Sequence, residues 1–186
     1  MKMLVVSDTH GSISRVLEIA EKITDIDLLV HLGDYYEDAV RIAEALGVDY
    51  AAVRGNCDGA LRFEDTSSVL ETECGRILLT HGHTEGVRRG GGYSGLLSRC
   101  EQMDCCAVFF GHTHVAVNDE IDGVRILNPG SISRPRDGSR GSYAIVHTSE
   151  QGIECSVLYY NTGGGPPKKK APGGFLRGLM NYSDGF

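Results

Sequence analysis

Residues 105–117 read CCAVFFGHTHVAV, an apolar run that breaks at Gly111 and then presents His112 and His114 one residue apart. A short apolar run closed by glycine reads as a buried strand. The same pattern recurs upstream. MLVV (3–6) runs into SDTHG, with Asp8 and His10, and DLLVHL (27–32) runs into GDYYED, with Asp34. YAAV (50–53) runs into RGNCDG, with Asn56, and a run ending at residue 80 continues as HGH, with His81 and His83. In open α/β sheets, ligands bind outside the carboxyl ends of the strands. Five successive runs that each place oxygen or nitrogen donors at that end describe one site.

The stretches between these runs fix the fold class. Ile13, Val16, Leu17, Ala20 and Ile23 recur at helical spacing behind Ser12, which is placed as an N-cap. Ala39, Ile42, Ala43 and Leu46 do so ahead of Gly47, a residue suited to a helix C-terminus. A β-α-β-α-β order predicts a parallel sheet with helical crossovers. The second half is richer in strands. SVLETECGRILLTH predicts two strands about Glu73-Cys74-Gly75, and residues 94–103 predict a helix before the 105–110 strand. NDEIDGVRILN predicts a hairpin turning at Asp122-Gly123, and GSYAIVHT and GIECSVLYY predict a further antiparallel pair. The expectation is an α/β chain in which the second half builds another sheet packed on the first.

Composition narrows the function classes. A length of 186 residues suits one domain with a real core. A net charge of −7, from 25 acidic and 18 basic residues, argues against a broad nucleic-acid surface. The six cysteines form no CxxC pair, and Cys105-Cys106 sits within an apolar run, which suits a reducing compartment. The start, MKMLVVSDTH, is too short in apolar residues for a signal peptide, and no run approaches a membrane span. A cytoplasmic protein that does not engage the membrane is expected. The domain is expected over 1–160. Residues 161–186, beginning NTGGGPPKKKAPGG, read as a flexible tail carrying a short apolar segment, Phe175 to Met180.

The donor set points to metal chemistry. In extended chain, residues i and i+2 face the same way, so Asp8 with His10, and His112 with His114, can each face one centre. Glycines 11, 33, 55, 82 and 111 stand beside the donors, where positive φ or close approach is needed. Carboxylate and amide oxygens combined with imidazoles suit a first-row divalent ion, and the absence of cysteine pairs disfavours structural zinc. Asp8, His10, Asp34, Asn56, His81, His112 and His114 are enough donors for two ions, with Asp34 the central choice for a bridge. Two ions ~3.5–4 Å apart are the usual clamp for displacement at phosphorus.

DTH, GD, GNCD, HGH and GHTH, in this order, resemble the motif series of the calcineurin-like metallophosphoesterases. NPGS at 128–131 fits their small bacterial and archaeal phosphodiesterase branch of the YfcE type. The likeness covers residues 1 to about 160. It implies an αββα sandwich, two packed mixed sheets flanked by helices. It also implies one ion on Asp8, His10 and His114, another on Asn56, His81 and His112, and Asp34 bridging them. Manganese is the first choice of metal, with nickel, iron, cobalt or zinc as alternatives. The implied reaction is hydrolysis of a small phosphodiester by metal-bound hydroxide, and small members of the family often self-associate. Many relatives carry His after the ligating Asn; here the residue is Cys57. The Cys57 thiol could in principle protonate a leaving oxygen, but it is read as shaping the pocket and not as a nucleophile, while water or His83 handles the proton. His31 is read as a hydrogen-bonded interior residue, His147 as structural or exposed, and Arg54 as a salt-bridge partner. The alternative class is a non-enzymatic scaffold, as in the retromer subunit of this fold.

Overall fold

In the computed structural model, which describes residues 1–59, 66–89 and 92–160, the apolar runs are strands and the periodic stretches are helices. The chain opens with β1 (Lys2–Val6), α1 (Ile13–Ala20), β2 (Leu28–His31), α2 (Tyr36–Leu46) and β3 (Asp49–Ala52). A hairpin of β4 (Ser67–Thr72) and β5 (Gly75–Thr80) precedes α3 (Ser94–Gln102) and β6 (Ala107–Phe109). Two further hairpins follow, β7 (Ala116–Ile121) with β8 (Val124–Pro129), and β9 (Ser142–Ser149) with β10 (Gly152–Tyr159). The expected tail, 161–186, lies outside the described residues.

The strands form two five-stranded mixed sheets, ordered β10-β9-β1-β2-β3 and β4-β5-β6-β8-β7. Within the first, β1, β2 and β3 are parallel; within the second, β5, β6 and β8 are parallel. The period-2 alternation of a strand then sorts side chains into three apolar layers. Met3, Val5, Leu28, Val30, Ile77, Leu79, Phe109 and Leu127 meet between the sheets. Leu4, Val6 and Leu29 point the other way, onto Val16, Ile19 and Ile42 of α1 and α2. Leu78, Val108 and Ile126 pack against Leu96 and Cys100 of α3. Strands buried on both faces read as unbroken apolar runs, which is why MLVV and LLV lack alternation.

The division of the sheets differs from the expectation that the second half builds the second sheet. The β9–β10 hairpin returns to the first sheet, where β9 runs antiparallel to β1 with Lys2 opposite His147 and Val5 opposite Ala144. Ala144 and Val146 enter the layer between the sheets while Ile145 faces the helices, so β9 covers the free edge of β1. Periodicity shows that β9 is buried on both faces but says nothing about which edge it joins. Gly47 ends α2 in the left-handed region as expected, with φ +67 and its N–H on the Ala43 carbonyl at 2.8 Å. Ser12 stands at the N-cap of α1, but its side chain makes no capping bond.

Candidate metal centre

The ends of β1, β2, β3, β5 and β6 open toward one place, and the loops that follow carry the seven expected donors there. Asp8 is fully buried. Its Oδ2 accepts from the Ser7 hydroxyl at 2.7 Å and from the His112 N–H at 3.1 Å. Its Oδ1 is buried with no hydrogen-bond donor and lies 3.1 Å from His114 Nε2. His114 gives its Nδ1 proton to the Arg134 carbonyl at 2.7 Å, so in the neutral ring Nε2 offers a lone pair toward Asp8. His10 Nε2 lies 3.5 Å from that same nitrogen and 3.8 Å from Asp34 Oδ2. Donor atoms of Asp8, His10, Asp34 and His114 all fall within 4.8 Å of one another. Lone pairs facing lone pairs, with an orphaned carboxylate oxygen among them, fit a cation.

A second group of acceptors adjoins the first across Asp34. His81 Nδ1 is 2.7 Å from the Leu32 carbonyl, which fixes the proton there and leaves Nε2 free. That Nε2 lies 3.2 Å from Asn56 Oδ1 and 3.4 Å from Asp34 Oδ1. His112 Nδ1 completes the group, 3.0 Å from the same Asn56 oxygen. The Asn56 amide nitrogen faces Cys57 Sγ at 3.4 Å, which orients its oxygen inward. Asp34 thus turns Oδ2 toward one set and Oδ1 toward the other, with the Cys57 N–H donating to Oδ1 at 2.9 Å.

The backbone reaches this geometry by a route other than the extended i, i+2 pattern. Asp8, His10, Asp34, His112 and His114 themselves adopt positive φ, between +45 and +66. Left-handed non-glycine residues cost about 1–3 kcal/mol each and persist where surrounding contacts over-determine them. Among the neighbouring glycines, Gly11, Gly33 and Gly82 take positive φ, whereas Gly55 and Gly111 are needed for space. A Cβ on Gly55 would lie 2.3 Å from Asp34 Oδ1, and one on Gly111 would lie 2.0 Å from Ser7 Oγ.

Electrostatics follow the same arrangement. Burial raises the Asp8 carboxyl, but the close approach of the His114 ring, with His81 nearby, outweighs it and leaves the group below its ordinary value. Burial likewise works against protonation of His114, and Asp8 overcomes it, so that ring is pushed up. His10 and His112 are pushed down, in both cases first by burial. The Cys57 thiol is pushed up to about 11 by partial burial, its bond to Asp34 and nearby carboxylates. A thiol protonated at neutral pH is no nucleophile. His83 is half-buried and pushed down by burial and by His81; its ring lies 5.3 Å from His81 and 6.1 Å from His112, and its buried Nδ1 has no partner.

His31 lies in the interior as expected, fully buried in β2. Its Nδ1 accepts from the Gly33 N–H at 3.3 Å, so the proton sits on Nε2, which faces Thr9 Oγ1 at 3.0 Å. Thr9 in turn donates to Asp38 Oδ2 at 2.6 Å, and that oxygen also accepts from the Gly11 N–H at 2.8 Å. His147 is exposed. Among the described residues Arg54 has no carboxylate partner; its guanidinium stacks on Tyr36, 4.4 Å from the ring centroid.

Several positioning residues escaped the sequence reading. Asn128 is fully buried and donates to the Gly111 carbonyl at 2.8 Å and Thr113 Oγ1 at 3.1 Å, while its oxygen accepts from Gly130 N–H at 2.8 Å. Ser131 donates to the Asp8 carbonyl at 2.8 Å. Asp58 grips Tyr36 N–H and Gly55 N–H, each at 2.7 Å. The signal was present in NPGS and in the final residue of GNCD, but neither motif states which turn it secures.

Two sheets that direct carboxylates, an amide and imidazoles into one cluster define a metal-dependent class of α/β protein. Residues 1–151 match the calcineurin-like phosphoesterase superfamily domain. The chain belongs to that superfamily. It is 32% identical over 165 residues to a probable metallophosphoesterase, YsnB, of Bacillus subtilis, covering 88% of this chain and 93% of that one. It is 33% identical over 174 residues to phosphodiesterase YfcE of Escherichia coli, covering 78% and 87%. A solved Streptococcus pneumoniae protein, described as a predicted phosphoesterase, superposes with TM-score 0.70 at 26% identity, covering 86% and 90%. Vps29 of Entamoeba histolytica superposes with TM-score 0.68 at 22% identity, covering 85% and 98%, a likeness of fold alone. The chain is thus a metal-dependent phosphoesterase whose family implies divalent ions. Among the described residues, no helix is long and apolar enough to cross a membrane.

Proposed function

We propose that the chain is a dinuclear phosphodiesterase acting on small phosphodiesters. The observation that carries this reading is the division of Asp34 between two acceptor sets, Oδ2 beside His10 and Oδ1 beside His81. Asp8, His10 and His114 would hold one ion with Asp34, and Asn56, His81 and His112 the other; manganese is the first candidate for both. When bound, such ions acidify a water and take up charge on phosphoryl oxygens.

The chain's own residues supply the rest. The Leu32 and Arg134 carbonyls hold His81 and His114 with Nε2 inward. The Cys57 N–H steadies Asp34 with one oxygen toward each set, and the protonated Cys57 thiol fills the wall beside it. His83, whose ring lies at the edge of the second set, would pass a proton to the leaving oxygen in this reading. The convergence of seven candidate donors favours this reading over that of a scaffold.

The test is hydrolysis of bis-p-nitrophenyl phosphate and of p-nitrophenyl phosphate by metal-stripped protein, with and without Mn²⁺. Metal-dependent turnover favouring the diester is expected. No turnover with any divalent ion, despite bound metal, would overturn the reading in favour of the scaffold.

A further inference from the structure

The chain has a net charge of −7, yet arginines crowd the lip of the candidate centre. Arg134 and Arg136 both stand exposed on the segment after β8, with half-buried Pro135 between them. Proline fixes its own φ and holds the preceding residue extended, which sends residues two apart to the same side. The backbone of this segment is built into the centre. The Arg134 carbonyl holds His114 Nδ1 at 2.7 Å, and the Arg136 N–H donates to the His114 carbonyl at 3.1 Å. Arg89, exposed on the loop after β5, donates to the Arg136 carbonyl at 3.4 Å and brings a third guanidinium to the same lip.

Several arginines away from the centre are matched by carboxylates. Arg76, Arg99 and Arg125 pair with Glu71, Glu85 and Glu120. Among the described residues, Arg89, Arg134 and Arg136 have no carboxylate partner. Like charges gathered without counter-ions repel one another, and an anion seated among them removes that penalty. The phosphate under attack already has its charge met by cations in the proposed function. A pair of planar guanidiniums beyond it matches a second, dianionic group, and guanidinium forks fit phosphate oxygens bidentately.

We propose that Arg134 and Arg136, with Arg89 behind them, bind a second phosphate carried by the substrate. The enzyme then selects small phosphodiesters that bear a further phosphate beside the scissile one. This inference rests on the phosphodiesterase reading above.

The test compares deoxythymidine 5′-(p-nitrophenyl phosphate) with and without a 3′-phosphate, each with Mn²⁺. The readout is the ratio of the two kcat/KM values within one protein, so any loss common to both substrates cancels. The wild-type ratio is expected to favour the bisphosphate by about tenfold or more, the scale of a charge-assisted pair. It is expected to fall toward one in R134Q/R136Q. A wild-type ratio near one overturns the inference, as does a ratio undiminished in the double variant. The wild-type comparison decides alone if that variant does not fold. Failure of both esters to turn over with any divalent ion would instead overturn the phosphodiesterase reading, and this inference with it.

Discussion

Asp34 carries more of the site than any other side chain, because its two oxygens face different acceptor sets. Replacing it with Ala is expected to lower kcat by roughly two to three orders of magnitude and to reduce bound metal, measurable by elemental analysis beside steady-state kinetics. Retained turnover would remove Asp34 from the centre. Gly55→Ala makes the same point through space. The added methyl would meet Asp34 Oδ1 at 2.3 Å and the Asp34 backbone nitrogen at 2.4 Å. Activity is therefore expected to collapse although Gly55 has no positive φ to lose. Asn128→Ala acts at one remove, by unpairing the Gly111 carbonyl and freeing the GHTH turn. A stability loss of about 1–3 kcal/mol in urea, with activity falling roughly 10–100-fold, is expected.

At the scale of elements, the fit of β2 to its neighbours depends on a buried, uncharged imidazole. Burial pushes His31 down to about 4, against the opposing pull of Asp38. As pH falls, the unfolded chain protonates this residue near 6.5, whereas the folded one does so only near 4. Its stabilisation is thus fully present above pH 6.5 and is lost progressively as pH falls toward 4, by roughly 3 kcal/mol in all. His31→Gln should flatten the pH dependence of the urea midpoint across that window; an unchanged slope would mean that other groups dominate it. The elements themselves were legible. MLVV, DLLVHL and YAAV each lie within a residue or two of β1, β2 and β3, and Asp122-Gly123, both at positive φ, turns the β7–β8 hairpin. The candidate donors that converge were legible too, since a strand end followed by Asp, His or Asn needs no tertiary information. The way the donors are aimed was not. Positive φ at His112 or Asp8 is imposed by distant partners such as Ser131 and Asn128, which no local pattern links to them.

At the scale of the whole molecule, two sheets meet through Met3, Val5, Phe109 and Leu127, and this layer fixes the distance between strand ends that belong to different sheets. Asp8 and Asp34 come from one sheet, His81, His112 and His114 from the other. Phe109→Ala should cost about 3–5 kcal/mol and weaken metal binding along with stability, seen as a lower melting temperature and a raised apparent Kd for Mn²⁺. Unchanged metal binding would uncouple the sheet interface from the centre. Sequence periodicity recognised both sheets but not that β9 returns to β1, because a strand buried on both faces carries no mark of its partner. The central claim is that this junction of two sheets holds two ions across one carboxylate. It is tested most directly by titrating Mn²⁺ into metal-stripped protein in a calorimeter while diester hydrolysis is followed in parallel. Two ions per chain are expected, with activity appearing as the second is filled, and Asp34→Ala should abolish that second step. One ion per chain with full activity, or two ions unaffected by Asp34→Ala, would contradict it.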